Sequence, residues 1–237
     1  MTQESIILKD ISFFYGTNKI LDGLNLTIKK GSIHSLIGKS GVGKSLTLKL
    51  MASLLPLNSG EILNLPKKIS FAFQQSPLIP WLSVEDNLKV CSKNHGEIFQ
   101  YLEAFKLDSI ASLYPAQLSG GMIQKVNILR CFLGSPDLIL MDEPFVHIDS
   151  IQKEDLHHFL LQLWKKNRPT ILFVTHDIDE AIFLSQEISL YGKKEKKIVD
   201  QVMIGDLKGS VLELKKSAFY QQSFSHIYTH LKEEEEL

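Results

Sequence analysis

Cysteine is scarce in this chain. Of 237 residues only Cys91 and Cys131 are cysteines, and they stand in no metal-ligand spacing, which fits a reduced, cytosolic protein. An excess of one charge is also missing. There are 26 basic and 27 acidic side chains, spread along the sequence for a net charge of −1. The electrostatic footprint of a nucleic-acid binder is therefore absent, and no nucleic-acid partner is expected. No run approaches the roughly 18 apolar residues that a membrane helix needs, so membrane association is expected only through a partner. Met1 to Lys9 lacks a charged start followed by a long apolar run, the mark of a secretory leader. Internal repeats and low-complexity linkers are missing as well. What the chain does have is 44% apolar residues, enough for a substantial core as one domain or as a core with an inserted lobe.

One stretch organises the rest. Gly38-Lys39-Ser40-Gly41-Val42-Gly43-Lys44-Ser45 has the spacing Gly, four residues, Gly-Lys-Ser. Ile33, Ser35 and Ile37 lead into it as a strand; Leu46, Leu48, Leu50 and Met51 leave it as a helix, with Leu54-Leu55-Pro56 as its end. Glycines let the backbone curl so that successive N–H groups and the positive helix end surround an anion. Lys44 adds a point charge for β- and γ-phosphates, and the Ser45 hydroxyl is a ligand for Mg²⁺. Alone, the loop specifies only a nucleotide.

The remaining motifs fall at strand ends. Ile6 to Tyr15 and Ile20 to Ile28 alternate apolar and polar residues around Gly16-Thr17-Asn18, a β-hairpin pattern. Tyr15 either stacks on a purine or is a half-buried strand tyrosine. Ser59-Gly60 turns the chain into Glu61-Ile62-Leu63, and Ile69, Phe71 and Phe73 form another strand. Gln74, just past it, is a Mg²⁺ or water ligand, or a solvated loop residue. In Ser76-Pro77-Leu78-Ile79-Pro80-Trp81-Leu82 two prolines keep apolar residues out of regular structure, so these pack under a lobe or face a partner. Ser83 to Leu113 is helical in pattern, an inserted lobe ending in Leu118-Ser119-Gly120-Gly121-Met122. Ser119 suits an N-cap, and the bare glycines leave N–H groups open to an anion; the simpler reading is a capped helix alone. Leu138 to Met141 reads as a strand buried on both faces that delivers Asp142-Glu143 at its carboxyl end. Asp142 suits a water-mediated Mg²⁺ contact and Glu143 suits polarising a water for attack on a γ-phosphate. After a helix from Ile151 to Lys166, a second buried strand, Ile171 to Val174, ends in Thr175-His176-Asp177, where His176 can donate to a γ-phosphate oxygen. Lys193 to Lys197 is a solvated turn between strands or a lipid-headgroup contact, and Glu233 to Glu236 an acidic tail.

Taken together, the phosphate loop, Gln74, Leu118 to Met122, Leu138 to Pro144, Asp149 and His176 resemble the motif set of an ATP-binding-cassette (ABC) ATPase, over most of the chain to about Leu190. Leu78 to Val84 and Val174 to Ala181 are similar to importer subunits of the nitrate, sulfonate and taurine group. The resemblance implies an α/β P-loop NTPase (RecA-like) core with an N-terminal antiparallel β region and an inserted α-helical subdomain. Its expected divisions are a core of about 1–76 and 136–210, a lobe of about 77–135 and a C-terminal segment of about 211–237, with nothing after Tyr191 long enough for an extra regulatory domain. It implies ATP and Mg²⁺ as cofactors. Tyr15 would stack on adenine, residues Gly38 to Leu46 bind ATP, Ser45, Gln74 and Asp142 serve the metal, Glu143 act as general base and His176 touch the γ-phosphate. Ser119, Gly120, Gly121 and Met122 would serve the ATP of a second copy in a head-to-tail dimer, with Asp149 at the dimer contact. Partners implied are a membrane permease and, indirectly, a solute-binding protein outside, with the chain cytoplasmic on the inner face of the membrane.

The sequence departs from the family in places. Pro144-Phe145-Val146-His147-Ile148-Asp149 stands where Pro-Phe-Ser-Ala-Leu-Asp is usual. Leu46 replaces a Thr, and Ile123 and Asn127 replace an Arg and an Ala behind the signature. Dimer coupling and turnover are the properties these touch. Rival readings are a soluble ABC ATPase of DNA repair or translation, which would carry a long coiled-coil insertion or second cassette, and a binding module that has lost catalysis.

Overall fold

The structure is a computed structural model that describes residues 5–74, 77–146, 148–205 and 211–233. The start at Met1, Ser76, His147 and the acidic residues 234–236 lie outside the described residues.

The hairpin pattern produces β1 (Ile6–Tyr15) and β2 (Asn18–Ile28), joined across a two-residue turn at Gly16-Thr17 with Tyr15 opposite Asn18. β3 (Ile33–Ile37) is buried along its whole length and runs into the glycine loop. After that loop α1 (Lys44–Met51) ends earlier than the apolar run suggests. Ser53 adopts φ 56°, the Leu54 N–H bonds back to Lys49 O and the Ser53 N–H to Leu50 O, a Schellman stop that Leu54-Leu55-Pro56 only follows. β4 (Ser59–Leu63) then pairs with the free side of β1, giving a three-stranded antiparallel sheet in the order β2-β1-β4.

β5 (Ile69–Ala72) opens the second sheet, and the chain next leaves it for the helical lobe. There α2 (Val84–Lys89), α3 (His95–Ala104) and two 3-10 turns at Asp108–Ile110 and Pro115–Gln117 precede α4 (Gly120–Phe132). The continuous apolar runs return as β6 (Leu138–Asp142) and β7 (Thr170–Thr175), both buried end to end, with α5 (Ser150–Asn167) between them. Beyond them come α6 (Ile178–Leu184), β8 (Glu187–Gly192), β9 (Lys197–Met203), α7 (Val211–Lys216) and α8 (Ala218–Glu233). The second sheet is ordered β5-β6-β7-β3-β8-β9, parallel except for β9 at its edge.

Strand periodicity divides the core. Ile139, Met141, Ile171 and Phe173 face the helical lobe and α5, packing with Leu88, Ile98, Leu129 and Leu160. Their neighbours Leu138, Leu140, Leu172 and Val174 face the opposite way, onto α1 and the antiparallel sheet through Leu8, Leu26 and Leu48. A third cluster packs α6 and α8 on β8 through Ile182, Ile188, Leu190, Tyr220 and Ile227. The Lys193–Lys197 turn between β8 and β9 is solvated as its composition suggests, with only Lys196 half-buried: its ammonium donates to Lys19 O and its carbonyl accepts from the Asp22 N–H.

His34, inside β3, is fully buried with Nε2 2.8 Å from the Ser189 hydroxyl, which also accepts from Gln201. Burial lowers its pKa from 6.5 to about 3, and burial lowers that of His157 to about 4. Between those values and 6.5 the unfolded chain binds protons that the folded chain refuses. The histidine contribution to stability is thus complete above the unfolded pKa and drains as pH falls, with a slope approaching about 1.4 kcal/mol per pH unit for each group. Burial also raises the carboxyls of Asp142, Glu180 and Glu187, which act in the opposite sense. Urea unfolding of wild type and His34→Gln at neutral pH and at about pH 5 isolates the imidazole. The variant should lose less stability on acidification than wild type; equal losses would show that His34 gains no proton on unfolding.

Candidate functional site

Sheet register brings the site together. Ile37 pairs with Thr175 and Asp142 with Val174, so the glycine loop after β3, Glu143 after β6 and His176 after β7 emerge side by side at one edge. Ala72 pairs with Met141, which places Gln74 level with Glu143. Carboxyl ends of parallel strands are where open α/β sheets bind ligands.

The loop itself is shaped by close approaches. Gly43, the N-cap of α1, holds φ 109°, and a Cβ there would stand 2.6 Å from Leu21 of β2. At Gly38 a Cβ would stand 2.8 Å from Cβ of Tyr191. Val42 and Leu46 turn their side chains into the core, so what they offer an anion is backbone N–H. Lys44 is buried, and its ammonium donates to the carbonyls of Gly38 at 2.6 Å and Lys39 at 2.7 Å. Burial pulls its pKa down, and the charges of Glu143 and Asp142 work against that fall. Tyr191 was not singled out from the sequence. It is buried, with its hydroxyl 2.5 Å from Thr47 Oγ1, and Thr47 in turn donates to Gly43 O. Tyr191 therefore braces the start of α1 from beneath.

On the acidic side, the Ser45 hydroxyl donates to Asp142 Oδ1 at 2.7 Å. Burial raises the Asp142 carboxyl, with the Glu143 charge adding to the rise and Ser45 opposing it. Gln74 Nε2 donates to Glu143 Oε2 at 3.4 Å, and His176 Nδ1 stands 3.5 Å from the same oxygen. Glu143 has φ 48°, a left-handed conformation that costs a non-glycine residue on the order of 1 kcal/mol and that clusters at functional sites. Its N–H is held by Val174 O at 3.1 Å. A hydroxyl, a carboxylate and a carboxamide at the rim of a phosphate loop make a hard-oxygen set that fits Mg²⁺.

Other expected residues lie further out. Tyr15 is 56% exposed at the tip of the hairpin whose Leu21 abuts Gly43, with its ring edge-on to Phe13. Ser119 caps α4, its hydroxyl accepting from the Met122 N–H at 3.3 Å, and Gly120 and Met122 are exposed. Gly121 faces α5, where Gln152 Oε1 would be 2.7 Å from an added Cβ. The signature is thus joined to α5 rather than to the phosphate loop of its own chain. Gln124, two residues further along α4, donates to Pro144 O beside Glu143. Asp149 is exposed and caps α5, accepting from the N–H of Gln152 at Oδ1 and of Lys153 at its carbonyl. Val146 and Ile148 are half-buried, the latter packed on the lobe-side core.

Comparison with known proteins identifies the family. Residues 21–146 match the family described as ABC transporter. The chain is similar to the aliphatic sulfonates import ATP-binding protein SsuB of Bacillus cereus, 36% identical over 210 residues that cover 82% of this chain and 84% of that protein. It is similar to the formylaminopyrimidine import ATP-binding protein ThiZ of Halalkalibacterium halodurans, 35% identical over 201 residues and 81% of each. Among solved structures, a dimeric ATP-binding cassette in a post-hydrolysis state bound to ADP and Pi matches with TM-score 0.69 at 28% identity, covering 85% of this chain and 100% of that one.

Proposed function

This chain belongs to the ABC transporter family and is an ATP-hydrolysing import subunit of it, and we infer that it works as one half of a head-to-tail pair beneath a membrane permease. The observation that carries the reading is the alignment of the glycine loop, Asp142, Glu143, Gln74 and His176 along one sheet edge. In this reading the N–H groups of Gly38 to Leu46 and the Lys44 ammonium bind the phosphates, and Tyr15 stacks on the adenine. Ser45, Gln74 and Asp142 would hold Mg²⁺, which when bound would supply positive charge against the phosphates. Glu143 takes a proton from the attacking water, and His176 donates to a γ-phosphate oxygen. The core, about 1–76 and 136–210, holds the nucleotide, while the lobe, about 77–135, presents Ser119 to Met122 to the ATP of the second copy.

The lobe also offers a contact for the permease. Asn87 is fully buried; its Oδ1 accepts from Ile79 N–H at 2.7 Å, and Nδ2 donates to the carbonyls of Ile79, Leu82 and Ser83. That clamp buries Leu78 and leaves Trp81 76% exposed. Among the described residues no helix is long and apolar enough to cross a membrane. In this reading a permease would supply the spanning part and hold this subunit at the inner face. An external solute-binding protein would deliver the cargo, and the sulfonate and formylaminopyrimidine importers named above indicate the group rather than one solute.

Lys44→Ala tests the nucleotide site. A charged hydrogen bond to phosphate is worth about 1.5 to 3 kcal/mol, so the dissociation constant for ATP should rise at least about tenfold. An unchanged constant in equilibrium binding would defeat the assignment.

A further inference from the structure

His176 is 61% exposed, yet the backbone on either side of it is pinned. Thr175 Oγ1 donates to Glu180 Oε2 at 2.5 Å and accepts from the Asp177 N–H at 3.0 Å. Asp177 caps α6, its Oδ1 accepting from the Glu180 N–H at 3.2 Å. One ammonium closes this ring: Lys153 Nζ lies 2.7 Å from Glu180 Oε1 and 3.0 Å from Asp177 Oδ2. Thr175 and Glu180 are buried, while Lys153 and Asp177 are partly exposed, so the Glu180 side of the ring is the one shielded from water. Lys153 comes from the first turn of α5, the turn capped by Asp149, and its neighbour Gln152 abuts Gly121 of the signature. A single helical turn therefore touches the His176 loop, the signature and the Asp149 cap.

We infer that Lys153 is a positioning residue for hydrolysis: it locks the turn carrying His176 to the first turn of α5, and through Asp149 and Gln152 ties that turn to the face that meets the second subunit. This rests on the reading that His176 touches the γ-phosphate and that the Asp149 face meets a partner. Capping of α6 needs no lysine, since Asp177 does it alone. A buried carboxylate does need a counter-charge, so the competing explanation is that Lys153 merely neutralises Glu180.

A double-mutant cycle separates the two. The kcat and KM for ATP are measured on the full chain for wild type, Lys153→Met, His176→Ala and the double variant, with equilibrium ATP binding alongside. Lys153→Met should lower kcat by about tenfold or more with the ATP dissociation constant within about twofold of wild type. Lys153→Arg should restore most of kcat. In the His176→Ala background the Lys153→Met change should cost nothing further. An equal loss in both backgrounds would overturn the inference and leave the His176 reading standing. Wild-type kcat in His176→Ala alone would sink the His176 reading, and this inference with it. Should Lys153→Met fail to fold, Thr175→Val opens the same ring from the other side with the charges still paired, and must show the same non-additivity.

Discussion

Glu143→Gln is expected to bind ATP, to hydrolyse it roughly a hundredfold or more slowly than wild type, and to accumulate as an ATP-bound dimer on gel filtration. The side chain keeps its length and its place beside Gln74 and His176, and the left-handed backbone at this residue is untouched. What is lost is the negative charge that, in the proposed reaction, would accept a proton from water. That charge also helps to hold the Asp142 carboxyl up, after burial, so its removal eases Asp142 toward the ionised form that a metal requires. Ground-state binding of the nucleotide therefore has no reason to fall. With the γ-phosphate retained, the closed pair has no chemical step to reopen it. Turnover at the wild-type rate would mean that another group activates the water.

How much of this was legible in the sequence depended on how local each signal was. The phosphate loop was, because its spacing is carried by eight consecutive residues, although the close approaches that demand Gly38 and Gly43 come from two distant strands, through Tyr191 of β8 and Leu21 of β2. The strands β3, β6 and β7 were, because burial on both faces leaves an unbroken apolar run, and the residues just past such runs had to be Glu143 and His176. Tyr220, Phe224, Ile227 and Leu231 stand at helical spacing and mark the inner face of α8; that signal was present and went unread. Tyr191 and Lys153 were beyond local reading. A tyrosine ending a strand and a lysine on an amphipathic helix both look solvated until a distant Thr47 or Glu180 is set against them. Likewise, only the buried Asn87 decides that Leu78 goes inward and Trp81 outward.

Ser119→Arg should leave the ATP affinity of the isolated chain near the wild-type value, yet abolish both ATP-dependent dimerisation and hydrolysis. Within its own chain the Ser119 hydroxyl caps α4, and the signature abuts α5 through Gly121 and Gln152, while Lys44, Ser45, Asp142, Glu143, Gln74 and His176 gather at the strand ends. In the proposed pair a second copy would bring its own capped helix start, whose free N–H groups could close over the γ-phosphate and exclude water. A bulky cation in that cap would hold the two surfaces apart. It also removes the cap bond, which costs about 1 kcal/mol, so a modest fall in melting temperature is part of the expected result. Ser119→Asn, which can still cap the helix, supplies the control for that stability term. If Ser119→Arg instead loses ATP affinity as severely as Lys44→Ala while still folded, the signature serves its own chain, and the head-to-tail arrangement is wrong.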